Sequence, residues 1–552
     1  MTKQNPKIFA HGSYIGTTGY ANHTRNFFRE LSKYLKLKVR NFTVGKTWES
    51  FSDEPHNNED YLDKLDKKLL VEQSLWFHDN DDKTLNHHEM YKNYKNNFDH
   101  DLNIILSETN HHYYYQDYNG PKIAYNVWES TRQPDGFFEQ LKTFDQIWVA
   151  SKWQKECTIE QGIKPDKVKV IPEAVDGNVF KPNHNSTLPE YEDDRFKFVI
   201  FGRWDYRKAT KELIEAFLQE FHPKEPVDLI VSIDNPFAKD NFKSTEERLK
   251  YYKLDDPRIK IKHFPTRDEY IKYLQKGHVF LSCARAEGWN LPLIEAMACG
   301  TPSIYSNCSG QLEFAEGLGI PIPIIGKSKA KRGEYSSFSQ SILAGEFYEA
   351  DFNVLKQKMR EVYSNYDKYK VKALQESEII RNKFTWDNAA KIAYNEINNF
   401  MNNLPKNRVE ISFNLGPKVE VIGHHKKSYF VEFIDSRNNE VIHSGEIKNN
   451  MWIKCNKKYY IPWIIKINGE VIHNFSLKDK TVKVNFESKS IGDTLAWTPQ
   501  MIELSKYHQC KVIVSTFHNE WFENLPEYKD IKFIKPGESS KSYAVYEIGW
   551  FK

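Results

Sequence analysis

The feature that most limits the fold of this chain is a repeated alternation of short apolar strands and helical stretches. One set of predicted strands lies between residues 7 and 171, and a second set lies between residues 196 and 305. Such alternation is typical of parallel sheets covered by helices, so two successive sets predict two Rossmann-like α/β domains. The predicted strands are 7–10, 102–106, 123–127, 146–150, 167–171, 196–201, 229–233, 259–263, 278–282 and 302–305.

The first unit of this pattern is a strand, a glycine-containing turn and a helix. The strand at 7–10 precedes a turn of small residues at 11–20, and a helix is predicted over 21–37. This order begins a doubly wound α/β domain. The polar stretch 46–98 is predicted to be a surface-facing insertion with some helix around 61–75, and a helix over 385–401 is predicted to close the region.

Composition excludes several classes of protein. Hydrophobic residues make up 39% of the 552 residues and aromatic residues 14%, which is enough for several cores and excludes general disorder. No long uncharged apolar run predicts a membrane-spanning helix. The net charge of +3, from 78 basic and 75 acidic residues, argues against a nucleic-acid partner. Six widely spread cysteines without a Cys-x-x-Cys pair predict a cytoplasmic protein with neither disulfide framework nor structural zinc.

The pattern changes after residue 405. Short alternating segments separated by turn residues predict a small antiparallel β domain between about 409 and 477. A strand at 482–486, a helix ending near 507 and a strand at 510–516 then resume the α/β order. About 70 residues remain after this β domain, so the last segment is predicted to be a partial Rossmann-like unit without a nucleotide site of its own.

The sharpest motif is Ala286-Glu-Gly-Trp-Asn-Leu-Pro-Leu-Ile-Glu-Ala-Met-Ala-Cys-Gly-Thr-Pro302, which directly follows a predicted strand. Glu287 and Glu295 are eight residues apart, and Pro292 fits the first turn of a helix. Backbone N–H groups at a helix N-terminus favour an anion such as a diphosphate. Carboxylates beside that N-terminus can accept hydrogen bonds from sugar hydroxyls, so the motif predicts a nucleotide-sugar site.

A second motif, Phe201-Gly-Arg-Trp-Asp-Tyr-Arg-Lys-Ala209, follows the strand at 196–201. Arg203 and Lys208 can reach one anionic site from the end of this strand. A departing diphosphate needs such cations as its negative charge develops. Isolated basic residues are usually solvated. This pair nevertheless predicts an anion site, because it follows a strand and precedes the two glutamates.

Together these motifs resemble those of the family-4 retaining glycosyltransferases, which have the GT-B fold, over about residues 7–402. Further stretches carry the resemblance: the turn Gly16–Gly19, Val127-Trp-Glu-Ser-Thr, Ser151-Lys-Trp, Val170-Ile-Pro-Glu-Ala-Val-Asp176 and Phe384-Thr-Trp386. The resemblance implies a hexosyltransferase whose nucleotide-sugar donor binds between the two Rossmann-like domains, with no cofactor and no metal required.

Roles follow from the resemblance residue by residue. Arg203 and Lys208 are expected to hold the diphosphate, Glu295 the ribose and Glu287 the donor sugar. The remaining donor contacts are expected from two backbone segments. These contacts are Gly16, Gly19, Gly288, Trp289, Asn290 and Leu291.

This chain departs from the family at one position. Many members carry a histidine after the strand at 123–127, whereas this chain has Trp128 and Glu129 there. Glu129 is therefore a candidate contact to the sugar or the acceptor, and His111, at the end of the neighbouring strand, is the runner-up. Asp79 and Asp81 imitate an Asp-x-Asp metal motif, but they lie in the polar insertion, so no metal site is predicted.

The C-terminal part offers a second resemblance. The stretch Phe486-Glu-Ser-Lys-Ser-Ile-Gly-Asp-Thr-Leu-Ala-Trp-Thr-Pro499 and the β domain before it are similar to the front part of autotransporter O-heptosyltransferases, which are related to family 9. That resemblance makes Asp493 the candidate base of a second site, although an aspartate there also suits a helix N-cap. Exposed apolar residues such as Trp550 and Phe551 would then need cover.

Three functions stay open from the sequence: a retaining glycosyltransferase, an inverting heptosyltransferase-like enzyme acting through Asp493, and a noncatalytic carbohydrate-binding or assembly protein. The acceptor is a glycan, a protein or another hydroxyl compound, and the C-terminal module is a candidate surface for an acceptor, a second copy or a partner chain. The predicted domains are 1–190 (Rossmann-like, acceptor side), 191–384 (Rossmann-like, nucleotide-sugar side), 385–405 (closing helix), 406–480 (small β domain) and 481–552 (partial Rossmann-like unit).

Overall fold

The structure is a computed structural model of the chain, and it divides into two compact units, residues 1–402 and 403–552. The residues that the structure describes are 5–14, 18–41, 64–69, 100–109, 112, 120–183, 193–235, 242–264, 266–330, 344–486 and 488–548.

The first lobe of the N-terminal unit is built on a six-stranded parallel sheet in the order β2-β1-β3-β4-β5-β6. Helix α1 carries buried Phe27 and Phe28 onto this sheet. The strands are β1 (Lys7–Gly12), β2 (Lys36–Asn41), β3 (Leu102–Leu106), β4 (Lys122–Asn126), β5 (Gln146–Val149) and β6 (Val168–Val170). The helices are α1 (Gly19–Leu31), α2 (Lys64–Leu69), α3 (Asp135–Lys142) and α4 (Lys152–Glu160).

One sequence prediction in this lobe was wrong. The helix predicted over 21–37 ends at Leu31, because Leu35, Leu37 and Val39 bury every second side chain and lead into the strand β2 instead. In the helix α2, which was expected to face solvent, Lys64, Leu65 and Lys68 are exposed, whereas Asp66 is fully buried and forms an ion pair with Arg29. The rest of the predicted insertion lies outside the described residues.

The second lobe contains a six-stranded sheet in the order β12-β11-β10-β7-β8-β9, again with parallel neighbours. The strands are β7 (Phe196–Phe201), β8 (Val227–Ser232), β9 (Ile259–Ile261), β10 (Val279–Ser282), β11 (Ser303–Ser306) and β12 (Ile320–Ile322). The helices are α5 (Thr210–Glu220), α6 (Thr245–Tyr251), α7 (Arg267–Lys276), α8 (Leu291–Ala298) and α9 (Leu312–Ala315).

Several elements that the sequence did not predict follow this sheet. The antiparallel hairpin of β13 (Ile324–Lys329) and β14 (Glu346–Ala350) leads into two helices, α10 (Phe352–Ser364) and α11 (Tyr366–Lys383). Helix α12 (Trp386–Asn402) then packs into the core of the first lobe through Trp386 and Ile397. The two Rossmann-like lobes that the strand pattern predicts are therefore confirmed as an α/β fold.

The C-terminal unit has one core enclosed by two sheets. A mixed seven-stranded sheet has the order β19-β16-β15-β25-β22-β23-β24, and an antiparallel sheet has the order β18-β17-β20-β21. Since β15 pairs in parallel with β25, strands of the predicted β domain and of the predicted α/β segment share one sheet. The strands are β15 (Arg408–Asn414), β16 (Lys418–Ile422), β17 (Ser428–Asp435), β18 (Glu440–Lys448), β19 (Met451–Lys454), β20 (Trp463–Ile467), β21 (Glu470–Asn474), β22 (Thr481–Phe486), β23 (Lys511–Ser515), β24 (Ile531–Ile534) and β25 (Ala544–Ile548). The helices are α13 (Ile491–Trp497) and α14 (Gln500–His508).

Candidate active site

A cavity of about 150 Å³ lies inside the N-terminal unit, and both of its lobes contribute to the wall. From the first lobe it is lined by Gly19, Tyr20, His23, Val127, Glu129 and Glu173. From the second lobe it is lined by Lys208, Glu287, Trp289, Asn290, Leu291 and Pro292. The helix starts α1 and α8 thus meet at one place with the loops after β4, β6 and β7, where ligands of open α/β sheets collect.

The loop between β10 and α8 is held in a close-packed conformation by two glycines. A Cβ atom on Gly288 would lie 2.4 Å from Cγ1 of Val127, and one on Gly310 would lie 2.0 Å from the carbonyl oxygen of Gly288. The N–H of Gly310 also donates to the carbonyl oxygen of Glu287 at 2.8 Å. Only glycine fits at either position, and this is what lets the loop approach the first lobe so closely.

The start of α8 faces the cavity. Asn290 occupies the N-cap position in the left-handed region, with φ of 87°. Its side-chain amide donates to Oγ of Ser282 at 3.0 Å and to Oε1 of Gln311 at 2.7 Å, which fixes this unusual turn. The side chain makes no cap hydrogen bond, so the first N–H groups of the helix stay available to a ligand.

Glu287 is a buried carboxylate held by two cations. Nη1 of Arg207 lies 3.0 Å from its Oε2, and Nζ of Lys208 donates to its Oε1. Burial alone would raise the pKa of Glu287, but Arg207 and Lys208 outweigh it and hold the pKa below its usual value. Glu287 is therefore ionised at neutral pH despite an exposure of 2%.

Arg207 joins the two lobes at this site. Its Nη2 lies 3.0 Å from Oε2 of Glu129, and its Nη1 donates to the carbonyl oxygen of Ala286 at 2.9 Å. The side chain is almost fully buried. Glu129, predicted as a contact to the sugar or acceptor, thus lines the same cavity as Glu287 and is linked to it through Arg207.

The turn that carries Lys208 is fixed by local backbone geometry. Ala209 adopts the left-handed region with φ of 52°, and the N–H of Lys208 donates to Oδ1 of Asp205 at 2.7 Å. The backbone N–H of Arg285 donates to the carbonyl oxygen of Arg207 at 2.6 Å, which ties the turn to the loop after β10. A left-handed alanine is uncommon and marks a turn that the surrounding structure imposes.

Arg203 and Glu295 do not line this cavity. Arg203 is partly exposed, and its Nη2 lies 3.6 Å from Oδ2 of Asp205. Glu295 is buried in α8, where Oε2 accepts a hydrogen bond of 2.6 Å from the hydroxyl of Tyr270. Burial raises the pKa of Glu295 to about 7, against the opposing effects of Tyr270 and Arg267. The structure therefore brings Lys208 and Glu287 together and leaves the other two predicted residues outside the lining.

A buried histidine, His23, and a buried glutamate, Glu173, also belong to the cavity wall and were not predicted from the sequence. Nδ1 of His23 lies 3.5 Å from Oε1 of Glu173. Burial lowers the pKa of His23 to about 3, and burial together with Glu129 and Glu287 raises the pKa of Glu173 to about 8. Glu173 lies in the Val170–Asp176 stretch, which already carried the family resemblance. Arg207, which was not predicted either, lies in the motif that contains Arg203 and Lys208. Both residues could therefore have been found within the motifs, whereas His23 lies outside them.

The remaining predicted residues are placed as follows. Gly19 begins α1 and lines the cavity, whereas Gly16 and His111 lie outside the described residues, as do Asp79, Asp81, Trp550 and Phe551. Asp493 lies in the first turn of α13 in the C-terminal unit, where Ser490 is the N-cap and accepts a hydrogen bond from the N–H of Asp493. Asp493 is thus not the helix cap.

Neither a metal cluster nor a membrane-spanning helix is found among the described residues. No group of three or more His, Cys, Asp or Glu side chains in this part of the chain could hold a metal ion. Among the helices that the structure describes, none is both long and apolar enough to cross a lipid bilayer.

The family description "Glycosyl transferases group 1" matches residues 195–323, which form most of the second lobe. The chain is 29% identical over 171 residues to a subunit of the phosphatidylinositol N-acetylglucosaminyltransferase of Arabidopsis thaliana, covering 31% of this chain and 36% of the relative. It is 31% identical over 136 residues to the autotransporter heptosyltransferase Aah of Escherichia coli, covering 23% and 34%. The chain thus spans about a third of the length of these curated relatives.

The solved structure of Anabaena HepE in complex with UDP-glucose resembles this chain with a TM-score of 0.53 and 14% identity, over 72% of this chain and all of HepE. At this level of identity the likeness concerns the fold. It supports the two-lobed GT-B architecture that the sequence motifs implied. Residues 195–323 carry a glycosyl transferases group 1 domain within a GT-B fold.

Proposed function

We propose that this chain is a glycosyltransferase that moves a hexose-like sugar from a nucleotide-diphosphate sugar to a hydroxyl acceptor, with retention of anomeric configuration. One observation carries the proposal: Lys208, Glu287 and the start of α8 line one cavity, and all three belong to the segment that matches the glycosyl transferases group 1 description. A cation and a helix N-terminus suit a diphosphate, and a carboxylate suits sugar hydroxyls.

The proposed chemistry assigns the charged groups to the leaving group. Lys208 and the N–H groups of α8 stabilise the negative charge that grows on the departing diphosphate. Arg203, which lies outside the cavity lining, would have to turn toward the bound donor to add its charge. Glu287 and the backbone of 288–291 face the donor sugar, and Glu295 binds the ribose. The diphosphate itself accepts the proton of the attacking hydroxyl, so this scheme needs neither a separate general base nor a metal.

The direct test is a thermal-shift screen of the full chain against UDP, GDP, ADP and CMP sugars, since a ligand of the native state raises its melting temperature. Hydrolysis of the best donor is then followed by NMR at early times, before the released sugar mutarotates. We expect one nucleotide class to stabilise the protein and the first product to keep the donor's anomeric configuration. An inverted first product would contradict the retaining mechanism.

The division of roles has its own test. Glu295→Ala should weaken binding of the free nucleotide, because the ribose contact is lost. Glu287→Ala should leave the free nucleotide bound and change the rate or the sugar preference. Equal and small effects of both substitutions would remove the proposed roles.

The likeness to an autotransporter heptosyltransferase favours a second candidate, an inverting heptosyltransferase-like reaction through Asp493. If Asp493→Ala abolishes transfer while Glu287→Ala leaves it intact, this candidate replaces the first. Binding of a sugar nucleotide without turnover in the wild-type chain would instead favour a noncatalytic carbohydrate-binding role.

A further inference from the structure

His23 and Glu173 form a polar pair in the cavity wall that the roles proposed above do not use. His23 comes from α1 and Glu173 from the segment after β6, and their exposures are 1% and 4%. The imidazole ring is fixed by aromatic neighbours. Its centroid lies 4.6 Å from that of Tyr125 and 5.4 Å from that of Trp386. The orientation of His23 is therefore set by packing before any ligand arrives.

The pair is neutral at physiological pH. The low pKa of His23 and the raised pKa of Glu173 leave the imidazole uncharged and the carboxyl protonated. A protonated carboxyl oxygen 3.5 Å from Nδ1 favours the tautomer that carries the imidazole proton on Nε2. Among the residues that the structure describes, the buried Nε2 has no hydrogen-bond partner. A buried donor without an acceptor is costly, and a ligand oxygen in the cavity would satisfy it.

The charges around this pair decide which kind of oxygen fits. Burial, together with the carboxylates of Glu129 and Glu287, raises the pKa of Glu173, so a further negative charge beside this pair is disfavoured. An anionic phosphate oxygen would be repelled here and is better placed beside Lys208. An uncharged hydroxyl oxygen can accept the Nε2–H bond without that repulsion.

We propose that His23 is a sugar-recognition residue whose Nε2–H donates to a hydroxyl oxygen of the donor sugar, and that Glu173 is the positioning residue that sets the imidazole tautomer. The donor sugar is the occupant because His23 shares one cavity of about 150 Å³ with Glu287 and the start of α8. This inference rests on the proposed function and adds to it a residue pair outside the motifs at 203–208 and 287–295.

The test compares the nucleotide sugar with its own nucleotide. Among UDP-glucose, UDP-N-acetylglucosamine, GDP-mannose and ADP-glucose, the compound that binds the wild-type chain most tightly is titrated by calorimetry beside the matching nucleoside diphosphate. His23→Phe keeps the ring contacts and removes the donor. We expect it to weaken binding of the nucleotide sugar about three- to tenfold, the range for one hydrogen bond between neutral groups, with the nucleoside diphosphate unaffected.

Three further variants separate recognition from packing. Tyr125→Phe keeps the ring beside His23 and removes only a hydroxyl that donates to the carbonyl oxygen of Ile171. Because Tyr125 does not line the cavity, the ratio of the two affinities should stay unchanged. The amide of Glu173→Gln can still donate to Nδ1, so this variant should keep the wild-type ratio of the two affinities. Glu173→Leu has no donor and should weaken binding of the nucleotide sugar alone, as His23→Phe does. These two variants also test the idea if His23→Phe does not fold.

Each remaining outcome has a defined meaning. An unchanged ratio in His23→Phe and in Glu173→Leu overturns the inference and leaves the proposed function standing. Equal weakening of the nucleotide sugar and the nucleoside diphosphate shows a purely structural role and overturns it as well. If no compound of the panel binds the wild-type chain, the proposed function fails and the inference fails with it.

Discussion

Replacing Arg207 by methionine is the substitution whose effect the structure predicts most sharply. Arg207 contacts Glu129 and Glu287 at 3.0 Å each and donates to the carbonyl oxygen of Ala286. Its side chain is 3% exposed. Removing one partner of a buried ion pair costs about 3–5 kcal/mol, because the remaining charge stays in a medium of low dielectric.

The contacts place the expected loss at the lower end of that range. Glu287 keeps Lys208 as a second cation, and the side chain of Glu129 is 34% exposed, so water can take over its solvation. Methionine also retains most of the apolar stem of arginine. We therefore expect a decrease of about 3 kcal/mol in the free energy of unfolding.

The assay is equilibrium urea unfolding of the full chain, followed by tryptophan fluorescence. Lys211→Met is the matched control, because Lys211 pairs with Glu215 at 2.9 Å on an exposed face of α5. Such a pair contributes only about 0.3–0.5 kcal/mol. A loss in Arg207→Met no larger than in the control would refute the assignment of Arg207 as the buried link between Glu129 and Glu287.

The same substitution changes the response to pH. In the wild type, the lowered pKa of Glu287 means that its ionised form contributes stability above pH 4.5, which is lost as the pH falls through the folded-state pKa. Without Arg207, burial is opposed by Lys208 alone, so the pKa of Glu287 should rise. We expect the loss of stability in acid to be smaller in Arg207→Met, because the folded-state pKa of Glu287 then lies closer to its unfolded value. The same loss of stability in acid in Arg207→Met and in the wild type would contradict this account.

Three further predictions follow from other parts of the N-terminal unit. Lys208→Ala should lower turnover by about two to three orders of magnitude, the range for one preorganised transition-state donor, and near-wild-type turnover would remove Lys208 from the mechanism. Because the pKa of Glu173 is raised to about 8 in the folded chain, stability should fall as the pH rises from about 4.5 to 8, and Glu173→Gln should flatten this fall in urea titrations. Gly345→Ala should lower the free energy of unfolding by about 1–3 kcal/mol in urea titrations, because φ is +77° and a Cβ atom would lie 2.5 Å from the backbone N of Arg132. Gly326→Ala is the control on the same hairpin and should lower it less, because open space surrounds that position.

The sequence predicted the parallel strands well because each buried strand is a short apolar run with turn residues on both sides. The strands 102–106 and 196–201 were placed to the residue. The helix at 21–37 was extended too far because its last residues are also apolar, and only the sheet decides that they alternate between two faces. At the end of a helix, the local pattern of apolar residues does not distinguish a further helical turn from the start of a strand.

The site was predicted where the chemistry is concentrated in one continuous stretch. Glu287, Lys208 and the start of α8 come from two motifs, and the structure brings them into one cavity. Arg207 lies next to Lys208, yet a run of basic residues does not reveal which side chain is buried. That depends on the left-handed turn at Ala209, a conformation for which the sequence offers no glycine signal.

His23 could not be recognised from sequence for a different reason. A single histidine on the apolar face of a helix usually belongs to the core, and here three aromatic rings do surround it. Its polar partner, Glu173, lies 150 residues further along the chain, on another element. Only the fold shows that the two meet beside a cavity.

The charges of the cavity also limit how a donor can bind. Lys208 is already paired with Glu287, so a diphosphate that uses Lys208 must compete with that carboxylate for the same ammonium group. Arg207 makes this exchange electrostatically feasible, because it stays 3.0 Å from Glu287 and keeps the carboxylate compensated after Lys208 has turned to the diphosphate. Lys208, the cation that moves, and Arg207, the cation that stays, are adjacent in sequence. Under the proposed function, this arrangement keeps Glu287 ionised beside the donor sugar throughout the reaction.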